Sequence, residues 1–280
     1  MYDEGSLIAA ETWAVGARER LAQLAIPNRI IQVRVEANPT FAWQAWAPHK
    51  CGDCEEALLS IEAEKRAFEA REVTRQTRLR LERSGLPYEY VTGQRGLDDL
   101  VKLPNANTPQ FVRARTIVAN LLAGNLALPW FYICGENGLG KTSLACVALQ
   151  IKIQNGGRGC FIYFPSFVKK WQAAHAPGSK VSAWDLEQEV IEAPHLVLDE
   201  LGTDKAAIGA GADLFNRLLD ERLRVDVGMA RERPGSRWVI FTANPTTEQL
   251  VNLYKTTADD PRMAVRIERR ISEFNTEIVL

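Results

Sequence analysis

One segment constrains this chain more than any other. The apolar run Trp130-Phe-Tyr-Ile-Cys134 breaks into Gly135-Glu-Asn-Gly-Leu-Gly-Lys-Thr142, and a helix-forming stretch follows. The loop fits G-x-x-x-x-G-K-[ST], and its context of strand before and helix after is what the pattern requires. Glycines let backbone N–H groups curl around phosphate without Cβ clashes. The helix that starts at the loop adds the positive end of its dipole. A polyphosphate is the ligand such a loop suits. Gly135, Glu136, Asn137, Gly138, Leu139, Gly140, Lys141, Thr142 and Ser143 are the candidate nucleotide-binding residues. Lys141 is placed to bridge the β- and γ-phosphates, and Thr142 to offer its hydroxyl to Mg2+.

A second apolar run, Leu196-Val-Leu198, ends in Asp199-Glu200. Carboxylates at the C-terminal edge of a buried parallel strand lie where ligands bind. Asp199 is the candidate holder of the Mg2+ shell, and Glu200 the candidate to orient and polarise an attacking water. A third run, Trp238-Val-Ile-Phe241, ends in Thr242-Ala-Asn244. Asn244 either reaches the γ-phosphate or the lytic water, or caps a turn before Pro245.

Strands are predicted at 130–134, 160–164, 195–198, 238–242 and 274–279. Helices are predicted at 110–123, 141–154, 166–174, 183–191, 212–226 and 262–272. Strands alternating with helices and carrying continuous apolar runs form a parallel sheet covered on both faces. Upstream, residues 55–83 hold no Pro or Gly and carry seven acidic and seven basic residues, so they read as one long polar helix. Gly85 and Pro87 stop it, and a Gly- and Pro-containing linker runs to about residue 109. The domain boundary is placed at about residue 85, giving residues 1–84 as an N-terminal region and 85–280 as the nucleotide-binding domain. Before residue 50 a short helix at 11–24 and a strand at 31–35 are expected.

The 280 residues carry a net charge of −1, with 46% hydrophobic and 25% charged residues. This is the composition of a globular chain with a core, and bulk charge points to no partner. No run of eighteen apolar residues predicts a membrane span, and the N-terminus lacks a secretory pattern. Cytoplasm is the expected compartment, with Cys134, Cys146 and Cys160 as reduced core residues.

Taken together, residues 135–142, Leu198-Asp-Glu-Leu-Gly202, Phe241-Thr-Ala-Asn244 and Arg266-Ile-Glu-Arg-Arg-Ile271 resemble the DnaC/DnaI/IstB group of AAA+ ATPases over about residues 84–280. These are bacterial and phage helicase loaders and transposition helper ATPases. The resemblance implies an α/β P-loop NTPase with a five-stranded parallel sheet flanked by helices. The 36 residues after Asn244 fit one helix and one strand, so no full C-terminal lid is expected. It makes Asn244 sensor I. It places a finger that acts on the neighbouring subunit at Arg270, with Arg266 and Arg269 as alternatives. It implies ATP and Mg2+ as cofactors, hydrolysis of ATP, and self-association into a spiral or ring. The implied partners are a hexameric replicative helicase and single-stranded DNA, with no membrane. An IstB-like action on duplex DNA and a nucleotide-gated adaptor that scarcely hydrolyses ATP are the alternatives.

Cys51-x-x-Cys54 with His49 resembles half a zinc site, as in the N-terminal domain of DnaI-like loaders. A fourth ligand is missing unless Asp53 or Glu55 serves. For DNA, Lys169-Lys170-Trp171 pairs charge with an aromatic able to stack on a base. Lys205 is expected in a Gly/Ala-rich loop facing a central channel. Arg75, Arg78, Arg80 and Arg83 form a further basic group.

Overall fold

The fold is taken from a computed structural model, which describes residues 52–125, 130–203, 205–232, 236–257 and 261–280. The helix expected at 11–24, the strand at 31–35, His49, Cys51 and the side chain of Cys54 lie outside the described residues. Among the described residues no group of three or more His, Cys, Asp or Glu is arranged to hold a metal, and no helix is long and apolar enough to cross a membrane.

The long polar helix is α1, Gly52–Arg83. Its charges pair along its own length, as in Arg66–Glu62 at 3.5 Å and Arg78–Glu82 at 2.9 Å. By internal contacts the chain divides between Thr74 and Arg75, within this helix. In the second unit Leu81 is buried, and Arg80 donates to the Gly156 carbonyl at 3.0 Å. Arg80 is therefore committed to the fold rather than to a free basic group. The segment expected as a linker contains two short helices, α2 (Tyr88–Val91) and α3 (Leu97–Leu100), each burying a residue, Tyr90 and Leu100. The next helix, α4, is Pro109–Leu122, with the Thr108 hydroxyl accepting from the Phe111 amide as its N-cap.

From there strand and helix alternate: β1 Trp130–Cys134, α5 Lys141–Gln154, β2 Gly159–Tyr163, α6 Phe164–Ala174, α7 Ala183–Glu192, β3 His195–Leu201, α8 Lys205–Glu232, β4 Trp238–Ala243, α9 Thr247–Thr257, α10 Pro261–Phe274 and β5 Asn275–Val279. The five strands lie parallel in the order β2-β3-β4-β1-β5. Side chains alternate between the faces of a strand, and both faces here are buried. Trp130, Tyr132, Leu196, Leu198, Val239 and Phe241 pack in one cluster with α6 to α10. Phe131, Ile133, Val197, Trp238 and Ile240 pack in the other with α2 to α5. The result is three layers with the sheet in the middle. The edge strand β2 is blunted where the Phe161 amide donates to the Ser84 carbonyl.

Two expectations are corrected. Lys205 begins a helix rather than lying in a loop, because the segment behind it is mostly Ala, a strong helix former. Its Gly211 is there for packing: a Cβ would come within 3.1 Å of Val168 on α6. After Asn244 there are two helices before the last strand, not one. The additional one, α9, opens with a capping box, the Thr246 amide donating to Gln249 Oε1 and the Gln249 amide to Thr246 Oγ1.

Candidate nucleotide site

The parallel sheet brings the C-terminal ends of β1, β3 and β4 side by side, and the three polar motifs sit at those ends. The loop after β1 is tightly built. Gly135 has φ 138°, and a Cβ on it would meet the Leu280 carbonyl oxygen at 2.5 Å. Gly140, at φ 84°, forms the N-cap of α5 without a side chain to occupy the helix's first amides. A Cβ there would meet Leu103 Cδ1 at 2.5 Å. Asn105 ties the loop down by donating from Nδ2 to the Leu139 carbonyl at 2.9 Å.

Lys141, almost fully buried, donates from Nζ to the carbonyls of Gly135 (2.9 Å) and Glu136 (2.7 Å). Burial pulls its ammonium below the ordinary lysine range, opposed by the charges of Glu200 and Asp199. Thr142 Oγ1 donates to Asp199 Oδ1 at 2.7 Å. Ser143 lies near the Tyr90 hydroxyl, whose pKa is raised by burial, a rise that Ser143 opposes. Asp199 is buried, and burial lifts its carboxyl above the usual carboxylate range. Hydrogen bonds from Thr242 and Thr142, then the charge of Lys141, oppose that lift. Glu200 is half-buried beside it, with its backbone in the left-handed region at φ 64°.

Asn244 stands at the end of β4. Its Oδ1 is buried without a hydrogen-bond partner. It lines a cavity of about 500 Å3 with Gly135, Glu136, Asn137, Thr246 and Gln249. The Asn244 side chain thus lines a cavity bordered by the phosphate loop, which makes it a candidate ligand contact.

The structure thus gathers Lys141, Thr142, Asp199, Glu200 and Asn244 at one sheet edge. The arginines are elsewhere. Arg266 and Arg269 are exposed on α10, while Ile267 and Ile271 turn inward. Arg270 forms an ion pair with Asp220 of α8 at 2.8 Å. Among the candidate DNA contacts, Lys169 and Lys170 are exposed, but Trp171 is not available as a stacking face. Its Nε1 donates to Glu187 at 2.6 Å, and the Arg217 guanidinium lies 5.3 Å from its ring centroid. Burial pushes the thiols of Cys134 and Cys160 up to about 12 and raises that of Cys146, as expected of inert core cysteines.

Two residues with a part in the site were not singled out from the sequence. Asn105 lies in a Pro-containing stretch that gives no signal. Thr242 was visible only as the polar end of an apolar strand.

No protein-family model matches the sequence, and no curated protein matches it. Solved structures do. The crystal structure of DnaI is similar at 20% identity and a TM-score of 0.52, covering 69% of this chain and 93% of that one. The crystal structure of a candidate primosome component from Streptococcus pyogenes serotype M3 is similar at 19% identity and a TM-score of 0.50, covering 70% and 89%. What is shared at such identities is architecture: the chain has the AAA+ P-loop fold. More narrowly, its fold is similar to that of the DnaI structure.

Proposed function

We propose that this chain binds ATP with Mg2+ and hydrolyses it, as a replication-associated AAA+ protein of the helicase-loader type. The observation behind this is the Thr142–Asp199 hydrogen bond at 2.7 Å. It joins the phosphate loop to the acidic strand end across 57 positions of sequence, with Lys141 and Glu200 close enough for their charges to interact. Lys141 and the amides at the start of α5 take the phosphates. The hydroxyl of Thr142 and the carboxylate of Asp199 are hard oxygen donors that suit Mg2+ and would hold it. The bound ion supplies charge neutralisation at the phosphate oxygens. Glu200 orients a water and accepts its proton as that water attacks. The Asn244 amide serves the γ-phosphate or the same water.

The loader part of the proposal is supported by the DnaI-like fold together with the motif order. Residues 1–84 form the region that grips a hexameric helicase, and single-stranded DNA is the substrate onto which it is delivered. Self-association lets an arginine of α10 reach a neighbour's site. Arg270 serves only by leaving Asp220, whereas Arg266 is exposed on the same helix. Sedimentation with and without ATP, and retention of helicase and of single strands over duplex, test this part.

The enzymatic part is tested by Glu200→Gln. The expected result is retained ATP binding with turnover lower by about 10²–10⁴-fold, the usual contribution of a positioned base. Unchanged turnover would remove Glu200 from the mechanism and leave the adaptor reading in its place.

A further inference from the structure

Strands β3 and β4 run in step until Leu198 faces Phe241, and they resume with Leu201 facing Ala243. Between those pairs Asp199 and Glu200 oppose Thr242 alone. Two residues against one is a bulge, which leaves a ladder amide without its usual carbonyl and re-aims a side chain. The extra residue is Glu200, the one non-glycine with positive φ among the described residues. A glutamate in the left-handed region is strained, and such strain persists only where the surroundings over-determine it.

Thr242 supplies what the ladder has lost. Its hydroxyl, buried at 1% exposure of the residue, accepts from the Glu200 amide at 3.1 Å and donates to Asp199 Oδ1 at 2.5 Å. One hydroxyl has one donor and two lone pairs, so a single group can serve both acidic residues. Threonine also fits a strand: it is β-branched and stiff at χ1. Valine would fill nearly the same volume and offer neither bond. The rest of β4 is buried and apolar from Trp238 to Phe241, so packing alone gives no reason for a hydroxyl here.

We propose that Thr242 is a positioning residue of this site. It pins the Glu200 backbone in its left-handed turn and holds the Asp199 carboxylate beside Thr142, so that one side chain sets both acids. This rests on the assignment of the site as an ATPase centre.

The test compares the 280-residue parent with Thr242→Val and Thr242→Ser. Steady-state hydrolysis is measured over ATP and Mg2+ concentrations, and amide hydrogen exchange at Glu200 is measured without nucleotide. The valine variant should lose about 10–100-fold in kcat, the usual cost of removing a group that orients a ligand. Its KM for ATP should change little, it should need more Mg2+, and its Glu200 amide should exchange faster. The serine variant should recover most of the turnover and keep the amide protected. Parental kcat and parental Glu200 protection in the valine variant would overturn the proposal. So would a serine variant as impaired as valine, since the methyl and not the hydroxyl would then matter. A parent that neither binds nor hydrolyses ATP would count against the ATPase assignment, while exchange at Glu200 would still decide whether Thr242 holds the bulge.

Discussion

Lys141 and Asp199 carry opposite charges out of water within one small site, and burial opposes both. For Asp199 the folded state favours the neutral acid more than the unfolded chain does. The contribution from this group is fully present below the unfolded carboxyl's pKa and is lost as pH rises through the raised folded value. Ionising this carboxyl is thus a local cost to the fold. Asp199→Asn retains an oxygen able to accept from Thr142 and Thr242 and removes the charge. The variant is expected to melt higher than the parent at neutral pH while losing Mg2+-dependent hydrolysis. Thermal denaturation without nucleotide, followed between about pH 5 and 8, should show the gap shrinking toward the acid end. A variant that melts lower than the parent at neutral pH would mean that the carboxylate is net stabilising, against the direction of its shift.

Between elements, the largest polar investment lies at the opposite end of the strands, around Asp226 of α8. This fully buried carboxylate pairs with Arg222 at 3.0 Å and Arg237 at 2.7 Å, and accepts from Trp130 Nε1 at 3.0 Å. The arginines in turn donate to carbonyls at the end of α7: Arg222 to Val190 and Ala193, both at 2.7 Å, and Arg237 to Ile191 at 2.7 Å. These are the orphan acceptors that every helix C-terminus leaves. Burial pulls the Arg222 guanidinium down to about 10 even with Asp226 opposing. Removing one partner leaves uncompensated buried charge, which costs about 3–5 kcal/mol. Asp226→Ala is expected to lose that much in urea denaturation. A loss under about 1 kcal/mol would show that the network relaxes into water as a surface pair does. None of this could be read from the chain: Arg222 and Asp226 at i, i+4 look like an exposed helix pair, and Arg237 is separated from both. The bounds of β1 and α5, by contrast, match those read from the residues, because an apolar run, a glycine loop and a helix-forming stretch each dictate one local conformation. Helix α9 was missed although its Thr246–Gln249 capping box is written in the sequence. The short α2 and α3 draw their structure from burying Tyr90 and Leu100, which no local pattern announces.

At the scale of the molecule, sequence and fold meet in the strand order. The order β2-β3-β4-β1-β5 sets β4 between β1 and β3. The phosphate loop, the acidic pair and the Thr242–Asn244 end are thereby carried to one edge although the sequence spreads them over more than a hundred residues. That adjacency was legible because apolar strands ending in polar groups define an edge. The bulge that sets Glu200, and the Thr242 hydroxyl that completes it, depend on register between two strands and are visible only in three dimensions. The arginines of α10 belong to the same class, since whether Arg266, Arg269 or Arg270 serves another subunit depends on a surface shared with that subunit. The account as a whole stands on nucleotide binding at the β1 loop. Its most direct test is titration of the purified 280-residue chain and of Lys141→Ala with a fluorescent ATP analogue and Mg2+. The predicted result is saturable binding by the parent, weaker by about 10–100-fold in the variant, the worth of a hydrogen bond to a charged group. A parent that does not bind, or a variant that binds as tightly as the parent, would contradict the account.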